Sequence, residues 1–219
     1  MELSQIETDL QNSDFQYRLK AIAALKDYPA ELAVPILAQH LQDPEFLVRT
    51  FVARELGRQK TSEAFADLLQ IIRFDDTPNV RAEAANSLSL FGRLSASHLV
   101  QAFFRDDHWL VRRSILAALV ELDCPEEVLE VCSQGLAGED AAVQEASVDA
   151  LGALVGSRQS DAALYQLLSL KDSELIYIRI RVAYALKQVE TPIAREALAQ
   201  LRQDADYRVV GAAMEDLLS

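Results

Sequence analysis

Apolar and polar positions follow the period of amphipathic helices along the chain, and one phrase of this pattern recurs. The phrase contains an Asp, an Arg six residues later, an Ala four residues after the Arg and a Leu three residues further on. It is clearest in residues 43–56, 75–88 and 106–119, although the third copy has Leu116 in place of the Ala. An apolar helical stripe precedes it, as in residues 33–41, so each repeat predicts two helices.

Weaker copies extend the pattern over the whole chain. The Arg position then falls at Arg18, Arg49, Arg81, Arg112, Gln144, Arg179 and Arg208. The spacings are 31, 32, 31, 32, 35 and 29 residues. One helical hairpin cannot bury its apolar faces alone, but a stack of seven can, so we expect an all-α solenoid. The repeats leave no room for a second domain, which predicts one domain over residues 1–219.

The polar positions of the phrase predict how neighbouring repeats join. We expect the Asp to cap the second helix, and the Arg to bond backbone carbonyls or the Asp of an adjacent repeat. Gln144 breaks this series. Three glycines fall where second helices should end: Gly57, Gly92 and Gly156.

Composition supports helices and restricts the choice of partners. Seven Gly and six Pro are few for an all-β chain. A net charge of −13, from 21 Lys and Arg against 34 Asp and Glu, disfavours nucleic acids and anionic membranes. The sequence shows neither a basic leader nor an apolar run of membrane-spanning length, so we expect a cytoplasmic protein without membrane insertion.

The period and the Asp…Val-Arg…Ala…Leu phrase resemble HEAT repeats, and more narrowly the HEAT-like repeats of the phycobilisome lyase family of cyanobacteria. The resemblance implies about seven HEAT-like hairpins in a right-handed superhelix. It also implies binding of phycobiliproteins, with attachment or removal of phycocyanobilin in some members. Other relatives are adaptors, some linked to iron–sulfur cluster assembly. The matching positions are structural, so no catalytic residue is carried over.

The segment 106–113 is the most unusual stretch of the chain. His108 occupies a position where other repeats have the acids Asp14, Glu45 and Asp140, and acids are preferred at helix N-termini. A His beside Asp107 has the chemistry for proton transfer on a bilin, so these two residues are the catalytic candidates. Trp109 aligns with Phe15 and Phe46, so it is either a helix staple or a contact residue.

Basic residues are concentrated in the middle of this acidic chain. Outside the repeated arginines, the candidates are Arg54, Arg58, Lys60, Arg73, Arg93, Arg105 and Arg113. Arginine pairs well with carboxylates, so such a band suits an acidic partner or bilin propionates, and a solvated surface is the alternative. We predict that Arg54, Arg58, His108, Trp109 and Arg113 bind the partner or a bilin.

The sequence leaves several functions open. No familiar catalytic motif is present, which favours a non-enzymatic scaffold with a protein partner in the concave groove of the second helices. Such a scaffold requires no cofactor. The alternatives are a bilin lyase that holds phycocyanobilin transiently, an iron–sulfur adaptor, and a DNA glycosylase-like protein, which the negative charge disfavours. Cys124 and Cys132 fit no metal signature, so we predict no metal site.

Overall fold

A computed structural model describes residues 1–214 of the chain. These residues form fourteen α-helices and two short 3-10 helices, Leu25–Asp27 and Gly92–Ser95, and contain no strand. The all-α solenoid-like fold predicted from the repeat is therefore confirmed.

The chain divides into two compact units, residues 1–118 and 119–219, with the division inside α8. The helices of the first unit are α1 (Leu3–Leu10), α2 (Phe15–Ala24), α3 (Ala30–Gln39), α4 (Phe46–Gln59), α5 (Ser62–Phe74), α6 (Pro78–Ser89) and α7 (Ala96–Arg105), followed by most of α8 (Trp109–Glu121). Those of the second unit are α9 (Pro125–Ala137), α10 (Ala141–Ala153), α11 (Ser160–Leu170), α12 (Ile176–Lys187), α13 (Pro192–Leu201) and α14 (Tyr207–Met214). The single domain and the right-handed superhelix stay predictions.

Within each unit the helices pack as hairpins stacked side by side. In the first unit α1 packs on α2, α3 on α4 and α5 on α6, and the second helices α2, α4 and α6 pack in sequence. In the second unit α9 packs on α10, α11 on α12 and α13 on α14, while α12 lies between α10 and α14. The first helices α5 and α7 also contact each other.

The apolar positions of the repeated phrase form the core between these helices. In α4, for example, Val48, Ala53 and Leu56 have no exposed surface. Val80, Ala85 and Leu88 are equally buried in α6, the next second helix. The repeat is thus a repeat of buried positions, which is why its period predicts the helix pairs.

The arginines of the phrase join consecutive repeats through two kinds of bond, and we call this set the ladder: Arg18, Arg49, Arg81 and Arg179. Each donates to the backbone carbonyl six residues earlier, at 2.7–2.9 Å. Each also binds the Asp of the following repeat, at 2.6–2.7 Å from Nε; these acids are Asp43, Asp75, Asp106 and Asp204. The predicted bonds to carbonyls and to a neighbouring Asp are confirmed in these four repeats.

Arg112 and Gln144 make only part of this pattern. Arg112 Nε donates to the carbonyl of Asp106 at 2.6 Å, and its guanidinium lies over the Phe103 ring. Gln144 Nε2 donates to the carbonyl of Gly138 at 2.7 Å, six residues earlier as in the ladder. Gln144 therefore keeps the bond within its own repeat, although it lacks the charge of arginine.

Two predictions about the phrase are wrong. Asp204 accepts the backbone N–H of Asp206, as Asp43 accepts that of Glu45, so Asp204 is the repeat Asp and Val210 occupies the Arg position. Arg208 lies outside the ladder and pairs with Asp206. The repeat Asp also does not cap the helix: Asp43 lies three residues before α4 and fixes the turn that leads into it, and Glu45 is the residue at the cap.

The expected glycine positions are correct at two of three sites. Gly92 and Gly156 follow second helices with positive φ values of 72° and 82°. Gly57 instead lies inside α4, where a Cβ atom would be 2.7 Å from Cβ of Ser87. Its lack of a side chain allows α4 and α6 to approach closely.

Candidate functional site

His108 forms the N-terminal cap of α8. Its Nδ1 accepts the backbone N–H of Leu110 at 3.2 Å, and its own N–H donates to Asp106 Oδ1 at 2.9 Å. Asp14 and Asp140 accept the equivalent backbone N–H groups in their repeats. An accepting Nδ1 requires the imidazole tautomer that carries its proton on Nε2. His108 thus supplies an imidazole nitrogen at the cap where those repeats supply a carboxylate oxygen.

Trp109 and Arg113 lie one helical turn apart on α8. The Trp109 side chain is 40% exposed, and its ring stacks on His108 with the centroids 5.8 Å apart. Arg113 is exposed, and it has no carboxylate within 4.0 Å among the residues that the structure describes. This end of α8 therefore presents a stacked aromatic pair beside an uncompensated positive charge.

Arg54 and Arg58 lie on α4 and are both ion-paired. Arg54 Nε is 2.8 Å from Glu83 Oε1 on α6, and its guanidinium lies over the Phe51 ring. Arg58 Nη1 is 2.7 Å from Glu55 Oε1. Within residues 1–214, no hydrogen bond or ion pair links this pair of arginines to His108, Trp109 or Arg113. The predicted basic band is therefore partly neutralised on α4 and remains charged on α8.

Glu55 is a buried acid that the sequence analysis missed. It is 1% exposed, and burial raises the pKa of its carboxyl although the hydrogen bond from Arg58 opposes this shift. Its position three residues before Arg58 is the local signal for the pair. Glu83, by contrast, is 29 residues from Arg54 and carries no such signal.

A groove of about 560 Å³ lies between the first helices α5 and α7. Both helices end there, and the loops that lead into the next second helices close the groove at this end. Its lining residues are Leu69, Gln70, Ile72, Arg73, Phe74, Asp75, Arg81, His98, Gln101, Ala102, Arg105, Asp106 and Asp107. The catalytic candidate Asp107 thus faces a cavity, and no hydrogen bond joins it to His108 in the described part of the chain.

The groove combines neutralised and free charges. Arg81 binds Asp106, and Asp75 binds Arg49, so these ladder residues are satisfied. Arg73 and Arg105 are exposed at the ends of α5 and α7, and neither has a carboxylate within 4.0 Å in residues 1–214. The sequences at the two helix ends are Arg-Phe-Asp-Asp at 73–76 and Phe-Arg-Asp-Asp at 104–107. This similarity is the feature of the sequence that could have indicated the groove.

Phe74 forms one wall of the groove, and its side chain is largely exposed to solvent. Its side chain is 69% exposed, and the guanidinium of Arg73 lies 5.0 Å from its ring centroid. An exposed aromatic ring with a cation on one face offers apolar contact and charge at one place. None of the groove's arginines belongs to the five residues predicted to bind a partner.

The cysteines and acids give no sign of a metal centre. Cys124 and Cys132 are both buried, and burial raises the pKa of the Cys132 thiol to about 12, which disfavours the thiolate that binds metals. Within residues 1–214, no group of three or more His, Cys, Asp and Glu side chains is placed to hold a metal ion. No helix among these residues is long and apolar enough to cross a lipid bilayer.

Stacked helix pairs joined by the ladder define an α-helical repeat protein of the solenoid class. The chain belongs to the HEAT repeat family, whose profile matches residues 6–89, 96–176 and 129–219. A comparison with curated proteins finds no match.

Two solved structures show the same fold. One is the complex of CpcE and CpcF of phycocyanin lyase from Nostoc sp. PCC7120, with 20% identity and a TM-score of 0.55 over 100% of this chain and 87% of that chain. The other is YibA of E. coli, with 13% identity and a TM-score of 0.61 over 100% of this chain and 93% of that chain. At these identities the similarity concerns the fold.

Proposed function

We propose that the protein is a non-enzymatic HEAT-repeat scaffold that binds a phycobiliprotein in the cytoplasm. The observation that carries the proposal is the surface formed by His108, Trp109 and Arg113 at the start of α8. Tryptophan and arginine are the residues most enriched where protein interfaces gain their binding energy. Here both are exposed, and in the described residues the arginine has no carboxylate partner.

The partner class rests on fold similarity and charge. The fold is shared with a chain from the complex of CpcE and CpcF of phycocyanin lyase, which supports a role in protein–protein contact. A free guanidinium on a chain of net charge −13 suits a carboxylate-bearing protein surface rather than a phosphate backbone. The bond from Leu110 to His108 Nδ1 assigns the imidazole a structural task, so the proposal includes no bond-breaking step and requires no cofactor.

Size-exclusion chromatography with purified phycocyanin and related phycobiliproteins tests the partner class. We expect a co-eluting complex with one of them. Trp109→Ala and Arg113→Glu should each weaken it by at least about tenfold, because loss of a central Trp or Arg contact costs about 2 kcal/mol or more and tenfold corresponds to about 1.4 kcal/mol. Tyr165→Ala is the matched control, since Tyr165 is 76% exposed on α11 in the other unit. Absence of a complex with every phycobiliprotein would overturn the partner class, and full binding by Trp109→Ala would overturn the surface.

Free phycocyanobilin tests the non-enzymatic part of the proposal. We expect its absorption spectrum to stay unchanged when the protein is added, with or without the phycobiliprotein. A new absorption band, or transfer of the bilin to the phycobiliprotein, would favour the lyase alternative and refute the scaffold without bilin chemistry.

A further inference from the structure

We propose that the groove between α5 and α7 is a second binding surface, and that it takes an acidic, extended segment of a protein partner. This surface is distinct from the one at the start of α8. It lies at the ends of the first helices, and its candidate contacts are Arg73, Phe74, Arg105 and two glutamines, Gln70 and Gln101.

The two arginines of the groove that have no carboxylate partner within 4.0 Å in residues 1–214 favour an acidic ligand. Arg73 and Arg105 end neighbouring first helices and line the same cavity. Every other arginine in contact with the groove is matched, because Arg81 is held by Asp106. A planar guanidinium donates two parallel hydrogen bonds to a carboxylate, so two such groups on one groove favour a ligand with two spaced acids.

The walls of the groove favour a peptide over a small anion. A volume of about 560 Å³ is large for a single carboxylate and suits several residues of an extended chain. Gln70 and Gln101 are exposed, and their amides both donate and accept, as a peptide backbone requires. Phe74 and the aliphatic residues Leu69, Ile72 and Ala102 supply apolar contact for a side chain between the acids.

Asp107 allows a test of whether the groove prefers negatively charged ligands. It is an exposed carboxylate on the same groove, and in the described residues it makes no ion pair within 4.0 Å. Its charge opposes that of the arginines and should repel an acidic segment. Replacing it by a neutral amide of equal size should therefore strengthen binding, whereas a groove for basic or neutral ligands predicts the reverse or no change.

Fluorescence anisotropy with a short labelled peptide that alternates Glu and Leu provides the measurement, and the same peptide with Gln for Glu is its neutral partner. We expect the acidic peptide to bind and the neutral one to bind weakly. Arg73→Ala and Arg105→Ala should each weaken binding by about tenfold, the size expected for loss of a charged hydrogen bond. Asp107→Asn should tighten it.

Arg195→Ala is the matched control, since Arg195 is an exposed arginine on α13 in the other unit. Its removal should leave peptide binding unchanged, and circular dichroism should show equal helix content for all variants. Equal affinity for both peptides, or unchanged binding in both arginine variants, would overturn the proposal. The two proposals are tested with different ligands, the phycobiliprotein for Trp109→Ala and the labelled peptide for Arg105→Ala, so failure of one proposal leaves the other standing.

Discussion

Tyr177 donates a hydrogen bond of 2.6 Å from its hydroxyl to Oε1 of Gln144. The two residues belong to consecutive second helices, α10 and α12, and Gln144 occupies the position of a ladder arginine. At the position where four other repeats have an arginine bound to an aspartate, these two repeats therefore have a neutral hydrogen bond, and the ion pair of Arg181 with Glu145, at 2.8 Å, links the same two helices. Both polar atoms of the Gln144 amide form hydrogen bonds, since its nitrogen donates to the carbonyl of Gly138.

Loss of the tyrosine hydroxyl should weaken this junction modestly. Tyr177→Phe leaves the amide oxygen without its donor, and we expect the free energy of unfolding to fall by about 1 kcal/mol, the usual net value of a neutral hydrogen bond. Urea unfolding followed by circular dichroism measures the change. Tyr165→Phe removes a hydroxyl from a side chain that is 76% exposed and should have no effect. Equal stability of both variants would contradict a structural role for the Gln144–Tyr177 bond.

A ladder arginine should matter more than this neutral bond. Arg49 binds Asp75, whose side chain is 6% exposed, and also donates to the carbonyl of Asp43. Arg49→Ala leaves a buried carboxylate without its cation, so we expect a loss of about 3 kcal/mol in urea unfolding. Arg208→Ala is the control, because Arg208 matches the sequence phrase but lies outside the ladder with an exposed side chain. If Arg208→Ala were as damaging as Arg49→Ala, the assignment of the last repeat would be wrong.

The repeat predicts which positions are buried, but it does not predict contacts between residues that are far apart in the sequence. The valine at the position of Val48 and the leucine at the position of Leu56 recur in every clear copy, because each repeat must bury the same helix faces. The helix pairs could therefore be predicted from the sequence. Arg208 was assigned to the wrong position because Ala212 follows it by four residues, as Ala53 follows Arg49. Only the hydrogen bond from Asp206 to Asp204 reveals that the register is two residues later.

The candidate site shows the same limit. The unusual residues at 107–109 could be selected from the sequence. The sequence did not indicate that Asp107 and His108 have different surroundings, since Asp107 lines the α5–α7 groove and His108 caps α8. The groove itself arises where two first helices meet, and first helices have no conserved phrase within this chain to mark their faces. Glu83 neutralises Arg54 from another helix, which spacing along the chain does not indicate.

Gly57 should not tolerate a side chain. Although alanine favours a helix over glycine, its Cβ would lie 2.7 Å from Cβ and 3.1 Å from Cα of Ser87, so α4 and α6 would have to separate. We expect Gly57→Ala to destabilise the protein by about 1–3 kcal/mol, as overpacking does. Gly211→Ala, with open space around the new Cβ, should be neutral or stabilising. Partial recovery in Gly57→Ala/Ser87→Gly would identify the contact, and a stable Gly57→Ala protein would contradict it.

Acid should unfold the protein partly through the ladder carboxyls. Burial alone would raise the pKa of Asp43, but the hydrogen bonds from Arg18 and from the Glu45 N–H lower it overall. Arg179 likewise lowers the pKa of Asp204. In the unfolded chain the pKa of Asp is about 3.9, so as the pH falls the unfolded chain takes up protons before the folded protein does. This stabilisation is present above the unfolded pKa and is lost as the pH falls through the folded pKa.

Arg18→Gln should therefore move the midpoint of acid unfolding to higher pH, because the cation that holds Asp43 ionised is gone. Circular dichroism during acid titration gives the midpoint, and carboxyl carbon NMR of Asp43 gives the pKa directly. Arg195→Gln should leave both values unchanged. Glu55 should titrate above the ordinary Glu range, since burial raises its pKa. An Asp43 pKa that is the same with and without Arg18 would contradict the ladder as its cause.

His108 should be replaceable by the acid that other repeats use. Since its Nδ1 caps the backbone N–H of Leu110, His108→Ala should lower the free energy of unfolding by about 1 kcal/mol, as loss of an N-cap does. His108→Asp restores an acceptor like that of Asp140 and adds a favourable charge at the helix N-terminus, so it should be at least as stable as the native chain. Urea unfolding distinguishes these outcomes. A His108→Asp protein as unstable as His108→Ala would show that stacking on Trp109, rather than capping, is what the imidazole contributes.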